Sequence, residues 1–370
     1  MIHFVVPEAH ARMMREYLEL WGKDMNDRLH VVCSETLPAM RRVSPGTYVL
    51  GALDQHGPEM AAYLDAFHRT LVGRHDVRFL NHPTETLQRF DLLRALHATK
   101  RNTFRAVRIG DDLRALHYPV FVRDGSAHDG ALSPLLDSPA QVEAAIGRVL
   151  LEGRSAHNLM VVEFCDTADA NGYYRKYSAF VVGDHIVPRS LSYSREWMLK
   201  FQGSEFSPRM AQEEQDYVLT NPHEPALREV FALAHVTYGR IDYAMKDGQI
   251  QAWEINLNPT IGRGLRPSTG KVPPDVDAIR KPTKQHFYRR FREAWDSVNL
   301  PSDPGVDIEL EIDSAIVSRA LAPAEPARAR WLEALKRTLR PIKPVIAPVV
   351  RLALPVLGRI ATRPESKLTR

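Results

Sequence analysis

Two hydrophobic rhythms run along this chain, and the places where one gives way to the other mark its organisation. Residues 2–6, 29–33, 48–51 and 77–80 are short apolar runs, and 8–21 and 58–72 carry apolar residues at helical spacing. Strands alternating with helices predict a small parallel α/β domain over residues 1–80. No glycine fingerprint follows the first strand, which argues against a dinucleotide site. A second domain is expected over 81–300, with lobes of about 81–163 and 164–300. In it the pattern predicts helices over 84–98, 139–151, 224–236 and 284–297, and strands over 104–108, 118–123 and 159–165. Around Gly183-Asp184 the alternation of 173–187 predicts a hairpin.

A second hairpin is the most informative segment. Arg240 and Asp242 alternate with Ile241 and Tyr243, and Glu254 and Asn256 alternate with Trp253 and Ile255. Period two puts each polar pair on one strand face. Asp247-Gly248 between them is a strong turn signal. A two-residue turn would pair Ile241 with Glu254 and send Asp242 to the opposite face. A three-residue loop, Lys246-Asp247-Gly248, would gather all four polar groups on one face, and that longer loop is the expectation. Two carboxylates and an amide carbonyl are hard oxygen donors that suit magnesium held against phosphate. A neighbouring arginine suits charge developing on a phosphoryl or tetrahedral oxygen. On these four residues alone, a metal site and an amphipathic hairpin with a polar solvent face are equally good readings.

Upstream, Arg123 ends a strand and is followed by the polar loop Asp124-Gly125-Ser126-Ala127-His128-Asp129-Gly130. Glycines let backbone N–H groups approach phosphate, and the arginine adds a permanent charge. By itself such a loop is more often an exposed turn. The apolar strand 159–165 carries an acid, Glu163, which can equally be an edge-strand glutamate. Arg175, Lys176 and Arg189 are basic positions on the 173–187 hairpin and just beyond it. The glycine-rich, basic segment 262–271 lacks the spacing of a P-loop.

Taken together, Gly239-Arg240-x-Asp242, Asp247-Gly248 and Glu254-x-Asn256-x-x-Pro259 resemble the metal hairpin of the ATP-grasp superfamily, in particular the D-alanine–D-alanine ligase type of carboxylate–amine ligase. The resemblance spans roughly residues 80–300. It implies an ATP-grasp fold with a small preceding α/β domain. It makes Asp242, Glu254 and Asn256 ligands of one or two Mg2+ ions, and Arg240 the catalytic group facing the transferred phosphoryl. It assigns Arg123, Gly125, Ser126, Gly130, Glu163 and Lys176 to ATP. The implied reaction is activation of a carboxylate as an acyl phosphate, then attack by an amine, with small-molecule substrates on both sides. A phosphotransferase or a non-catalytic nucleotide-binding protein would use the same residues. Two departures stand out: most relatives have lysine where this chain has Arg123, and glycine where it has Thr260.

Composition narrows the classes further. At 370 residues with 44% hydrophobic and 25% charged residues, the chain is an ordinary globular one with room for a large core. Two cysteines make a disulfide framework implausible, and with no signal peptide at the start a cytoplasmic location is expected. The net charge of +4 is unevenly placed: residues 314–370 hold 12 Lys and Arg against 3 acids, leaving 37 against 42 over 1–313. A basic groove for nucleic acid across the body is therefore not expected. Residues 301–370 read as an acidic linker and a basic, proline-broken extension, in which 327–340 has helical spacing. That extension is a candidate contact for a membrane surface or a protein partner.

Overall fold

Four mostly apolar strands open the chain and pair in parallel. The computed structural model describes residues 1–127, 130–198, 204–261, 272–301 and 306–322. Strand β1 (Ile2–Val6) is followed by helix α1 (Arg12–Leu20), β2 (Leu29–Cys33), the short β3 (Arg42–Val43), β4 (Gly46–Leu50), α2 (Pro58–Leu71) and β5 (Val77–Leu80). The parallel sheet has the order β2-β1-β4-β5. Every residue of β1 and β4 is buried, as a sheet covered on both faces requires.

A three-stranded antiparallel sheet follows, built from β6 (Ala106–Arg108), β7 (Val120–Asp124) and β8 (Leu159–Glu163) in the order β6-β8-β7. Helix α3 (Arg89–Ala98) precedes it. Helix α4 (Pro139–Leu151), capped by the Ser138 hydroxyl, buries Val142, Ala145 and Val149 in a core shared with Val120 and Val122 of β7.

The third sheet is also antiparallel, in the order β10-β9-β11-β12. It comprises β9 (Tyr174–Val182), β10 (His185–Ser194), β11 (Tyr238–Lys246) and β12 (Gln249–Asn256). Helix α5 (Pro208–Thr220), which the apolar pattern does not announce, packs on this sheet with α6 (Glu224–Leu233) close behind. Tyr177 and Tyr243 meet Tyr217 and His223 on one face. At one end of the other face, Phe180 and Tyr238 pack on Phe287, Phe291 and Trp295 of α7 (Pro274–Val298). That helix is longer than the 284–297 expected. Pro274 and Pro282 hid its first turns.

Asparagine 81 joins the first sheet to the third. Its amide donates to Leu50 O at 3.1 Å and Tyr238 O at 2.8 Å, and its carbonyl accepts from the amides of Thr237 and Tyr238 at 3.0 Å. The segment read as a linker also belongs to the folded body. Strand β13 (Ile308–Glu309) pairs with β3, and Ile316 and Val317 of α8 (Ser314–Leu321) pack on the main core. Alternating acids had masked the apolar positions between them. Residues Met1–Ala320 form one unit and Leu321–Arg370 a second. The expected 327–340 helix lies outside the described residues, as do His128 and 262–271. Among the described residues no helix is long and apolar enough to cross a membrane.

Candidate functional site

The loop joining β11 to β12 is shorter than expected, and the hairpin reaches the expected face by another route. Lys246 pairs with Gln249, so only Asp247 and Gly248 form the turn, both at positive φ (50° and 77°). That is the two-residue hairpin turn whose twist matches its strands. A regular ladder from it would have opposed Asp242 with Trp253. Instead the register shifts between Asp242 and Tyr243: Tyr243 faces Ala252 and Asp242 faces Glu254. Trp253 is the extra residue of a β-bulge, which re-aims everything beyond it. Arg240 then faces Asn256, and all four polar groups share one side of the sheet. The three-residue loop is corrected, and the single polar face stands. Asn102 pins the bulge, its side chain donating to Ala252 O at 2.8 Å and accepting from Ala252 N at 2.9 Å.

These side chains border a cavity of about 540 Å3 between the second and third sheets. Its polar wall holds Arg123, Lys176, Arg240, Asp242, Glu254 and Asn256; Phe121, Cys165, Trp197, Met198 and Trp253 form an apolar wall. Gly130 and Thr260 also line it. Phe121 and Arg123 are two apart on β7, so they share a face. Trp197 packs on Phe121 with ring centroids 5.0 Å apart, and Trp253 stacks on Phe104 at 6.2 Å. Burial pushes the Cys165 thiol pKa up, which keeps it neutral.

The two carboxylates are surrounded by cations. Asp242 Oδ1 accepts from Arg240 Nε at 3.0 Å, and Lys176 Nζ stands 3.5 Å from Oδ2. Glu254 Oε2 meets Arg123 at 2.7 Å and also Arg89, a residue that the sequence pattern did not single out. Arg89 sits in the first turn of α3, and its other nitrogen donates to the carbonyls of Asp124, Gly125 and Ala127 at 3.0, 3.0 and 2.6 Å. Asn256 Oδ1 accepts from the amide of Asn258 at 2.8 Å, which orients it toward the hairpin end.

Three expected nucleotide contacts are placed elsewhere. The amide of Gly125 donates to Asn158 O at 2.8 Å, and that of Ser126 to Asp124 Oδ1 at 2.9 Å. The Ser126 hydroxyl is held by Asp124 and Asn158 as well. Both donors are taken by protein acceptors, and the carbonyls of Asp124, Gly125 and Ala127 face Arg89. Glu163 is 3% exposed, lies off the cavity, and accepts from Arg105 Nε at 2.8 Å and from the amides of Arg105 and His117 at 3.0 and 2.7 Å. Burial would raise its pKa, but these bonds outweigh it and hold the carboxyl below the usual range. Arg175 lines the cavity yet is paired to Glu213 and Asp169 at 2.8 and 2.6 Å, and Arg189 lies over Phe287. Among the described residues no three His, Cys, Asp or Glu side chains converge on one metal position. A divalent ion here needs the Asn256 carbonyl and oxygens from its ligand.

No family model matches this sequence, and no curated protein resembles it closely. Solved structures with a similar fold include the D-alanine–D-alanine ligase of Bacillus anthracis, with a TM-score of 0.44 and 11% identity, covering 80% of this chain and 99% of that one. The same enzyme complexed with ATP gives 0.42 and 12%. The L-amino acid ligase of Bacillus licheniformis gives 0.36 and 12% identity over 69% of this chain and 66% of that one. At such scores the likeness says nothing about substrates or site residues.

Proposed function

We infer that the chain is an ATP-grasp ligase that activates a carboxylate with Mg-ATP and couples it to an amine. One observation carries the reading: the bulge at Trp253 brings Arg240, Asp242, Glu254 and Asn256 onto one face, opposite Arg123 and beside Lys176. An apolar wall with two tryptophans beside a cationic floor suits a base and its polyphosphate. The donor set fits magnesium: Asp242, Glu254 and Asn256 would hold it, and Mg-ATP supplies the phosphoryl group when bound. Arg123 and Lys176 neutralise phosphate charge. Arg240 reaches the same face as Asp242 and would stabilise negative charge on the reacting oxygens, first of the phosphoryl and then of the tetrahedral carbon. The side chains act by positioning and electrostatics, so no nucleophilic residue is needed. Two free cysteines and a reaction that consumes ATP suit the cytoplasm.

The test is ADP release against pools of carboxylates and amines. Wild-type protein should turn over with one pair, and hydroxylamine should trap a hydroxamate. A stable phosphorylated product with no hydroxamate would make it a kinase instead. Glu254→Ala should abolish turnover with the fold retained; full turnover in that variant sinks the metal assignment.

A further inference from the structure

Burial goes on alternating past the end of β12. Ile255, Leu257, Pro259 and Ile261 are buried, while Asn256, Asn258 and Thr260 are half-buried between them. Asn256 and Thr260 border the cavity. Asn258 instead reaches back to the first domain, its side-chain amide donating at 3.0 Å to His10 O in the connection between β1 and α1. Two further bonds hold the same segment. Leu257 O accepts at 3.3 Å from the amide of Ala52, just beyond β4, and the Thr260 hydroxyl donates at 3.4 Å to Met13 Sδ of α1. The chain that leaves the polar hairpin is thus clamped by segments that follow two strands of the parallel sheet.

The clamp bears on the site because the clamped backbone serves two residues of the polar wall. The amide of Asn258 donates to Asn256 Oδ1 at 2.8 Å, and Thr260 O accepts from Arg240 at 3.4 Å. The first bond decides which way the Asn256 amide is turned, with its oxygen toward the Asn258 N–H. An amide oxygen has two lone pairs, so one is taken and one is left for a cation. Were Asn258 released, the Asn256 group could rotate and offer its NH2, which has no lone pair for a metal.

We propose that Asn258 is a positioning residue: it holds the Asn256 oxygen for the metal by tying the end of β12 to the β1–α1 connection. The inference rests on the ligase reading above for the metal and the nucleotide. It makes the first domain part of the metal site, through a bond between residues 248 apart in the chain.

The experiment is equilibrium dialysis of ATP with the full chain, once with Mn2+ and once in EDTA, with thermal melting as the check on folding. Wild type should bind ATP more tightly with Mn2+. Asn258→Ala should weaken the Mn2+-supported affinity about tenfold, the loss typical when the partner of a metal ligand is removed, and leave the EDTA value unchanged. Asn258→Leu removes the donor while filling its space; it should behave likewise, and serves where the alanine variant does not fold. Because Asn258 acts through Asn256, adding Asn258→Ala to Asn256→Ala should cause no further loss. The inference is overturned if a folded Asn258 variant keeps wild-type affinity with Mn2+, or loses affinity equally in EDTA. It is also overturned if the two losses add in the double variant. A wild-type chain that binds ATP no better with Mn2+ than in EDTA overturns the metal assignment and this inference with it. A metal-dependent wild type with indifferent Asn258 variants overturns this inference alone.

Discussion

A single carboxylate oxygen, Glu254 Oε2, accepts from two guanidiniums that reach it from different elements. Arg89 is anchored by loop carbonyls, whereas Arg123 projects from β7 into the cavity. On the proposed reading Arg123 is the cation that meets phosphate, and its planar fork matters as much as its charge. Arg123→Lys should raise KM for ATP about tenfold, equivalent to about 1.4 kcal/mol, and lower kcat less. Steady-state ADP release checks this; an unchanged KM would remove Arg123 from the nucleotide site. A different residue contributes to acid stability. His3 is buried, stacked on Tyr48, and desolvation there is the main reason its pKa falls to about 4. The unfolded chain binds a proton at His3 near pH 6.5, and the folded chain does not until about pH 4. Stability from this group is therefore complete above 6.5 and is lost as pH falls toward 4, by about 3 kcal/mol in all. Denaturation at pH 7 and pH 4.5 should show a smaller acid loss in His3→Phe than in wild type.

The hairpin of β11 and β12 separates what a turn does from what a bulge does. Gly248 occupies a left-handed position with open space around its α-carbon, so Gly248→Ala should cost about 1 kcal/mol through backbone strain alone. Turnover below the melting temperature should not change, because the turn does not set the register at Glu254. The bulge does, and Asn102 holds it by two buried bonds to Ala252. Asn102→Ala should cost about 2 kcal/mol and also reduce kcat, since Glu254 and Asn256 lie directly beyond the released bulge. Thermal melts and kinetics on both variants together make the test: equal kinetic damage from both would contradict a register fixed by Asn102. Periodicity could place Arg240, Asp242, Glu254 and Asn256 on strands, yet it carries no mark of an inserted residue. The longer loop was the regular way to bring them to one face. Arg89 was invisible for a related reason, as its partners are carbonyls of a loop more than thirty residues away, which have no sequence signature.

At the scale of the whole molecule, the parallel sheet was legible because its strands are short, mostly apolar runs, and α5 and the first turns of α7 were not, because polar residues or prolines interrupt them. The segment 306–321 was misread for the opposite reason: its charges face solvent while Ile308, Ile316 and Val317 reach the core. That finding moves the boundary at which the basic extension can be cut. Removing residues from 314 would strip α8 from the core and confound any binding measurement, whereas removal of 323–370 spares it. The extension carries 11 of the 12 Lys and Arg counted from 314 onward, all but Arg319. Each basic residue near an anionic bilayer contributes about 1 kcal/mol, and the attraction is screened by salt. The full chain should therefore pellet with phosphatidylserine vesicles at low ionic strength and be released by 0.5 M salt, while the chain ending at 322 should remain in the supernatant with its melting temperature and turnover unchanged. Equal pelleting of both chains would assign the membrane contact to the folded body. Loss of turnover in the shortened chain would instead place part of the extension at the active site.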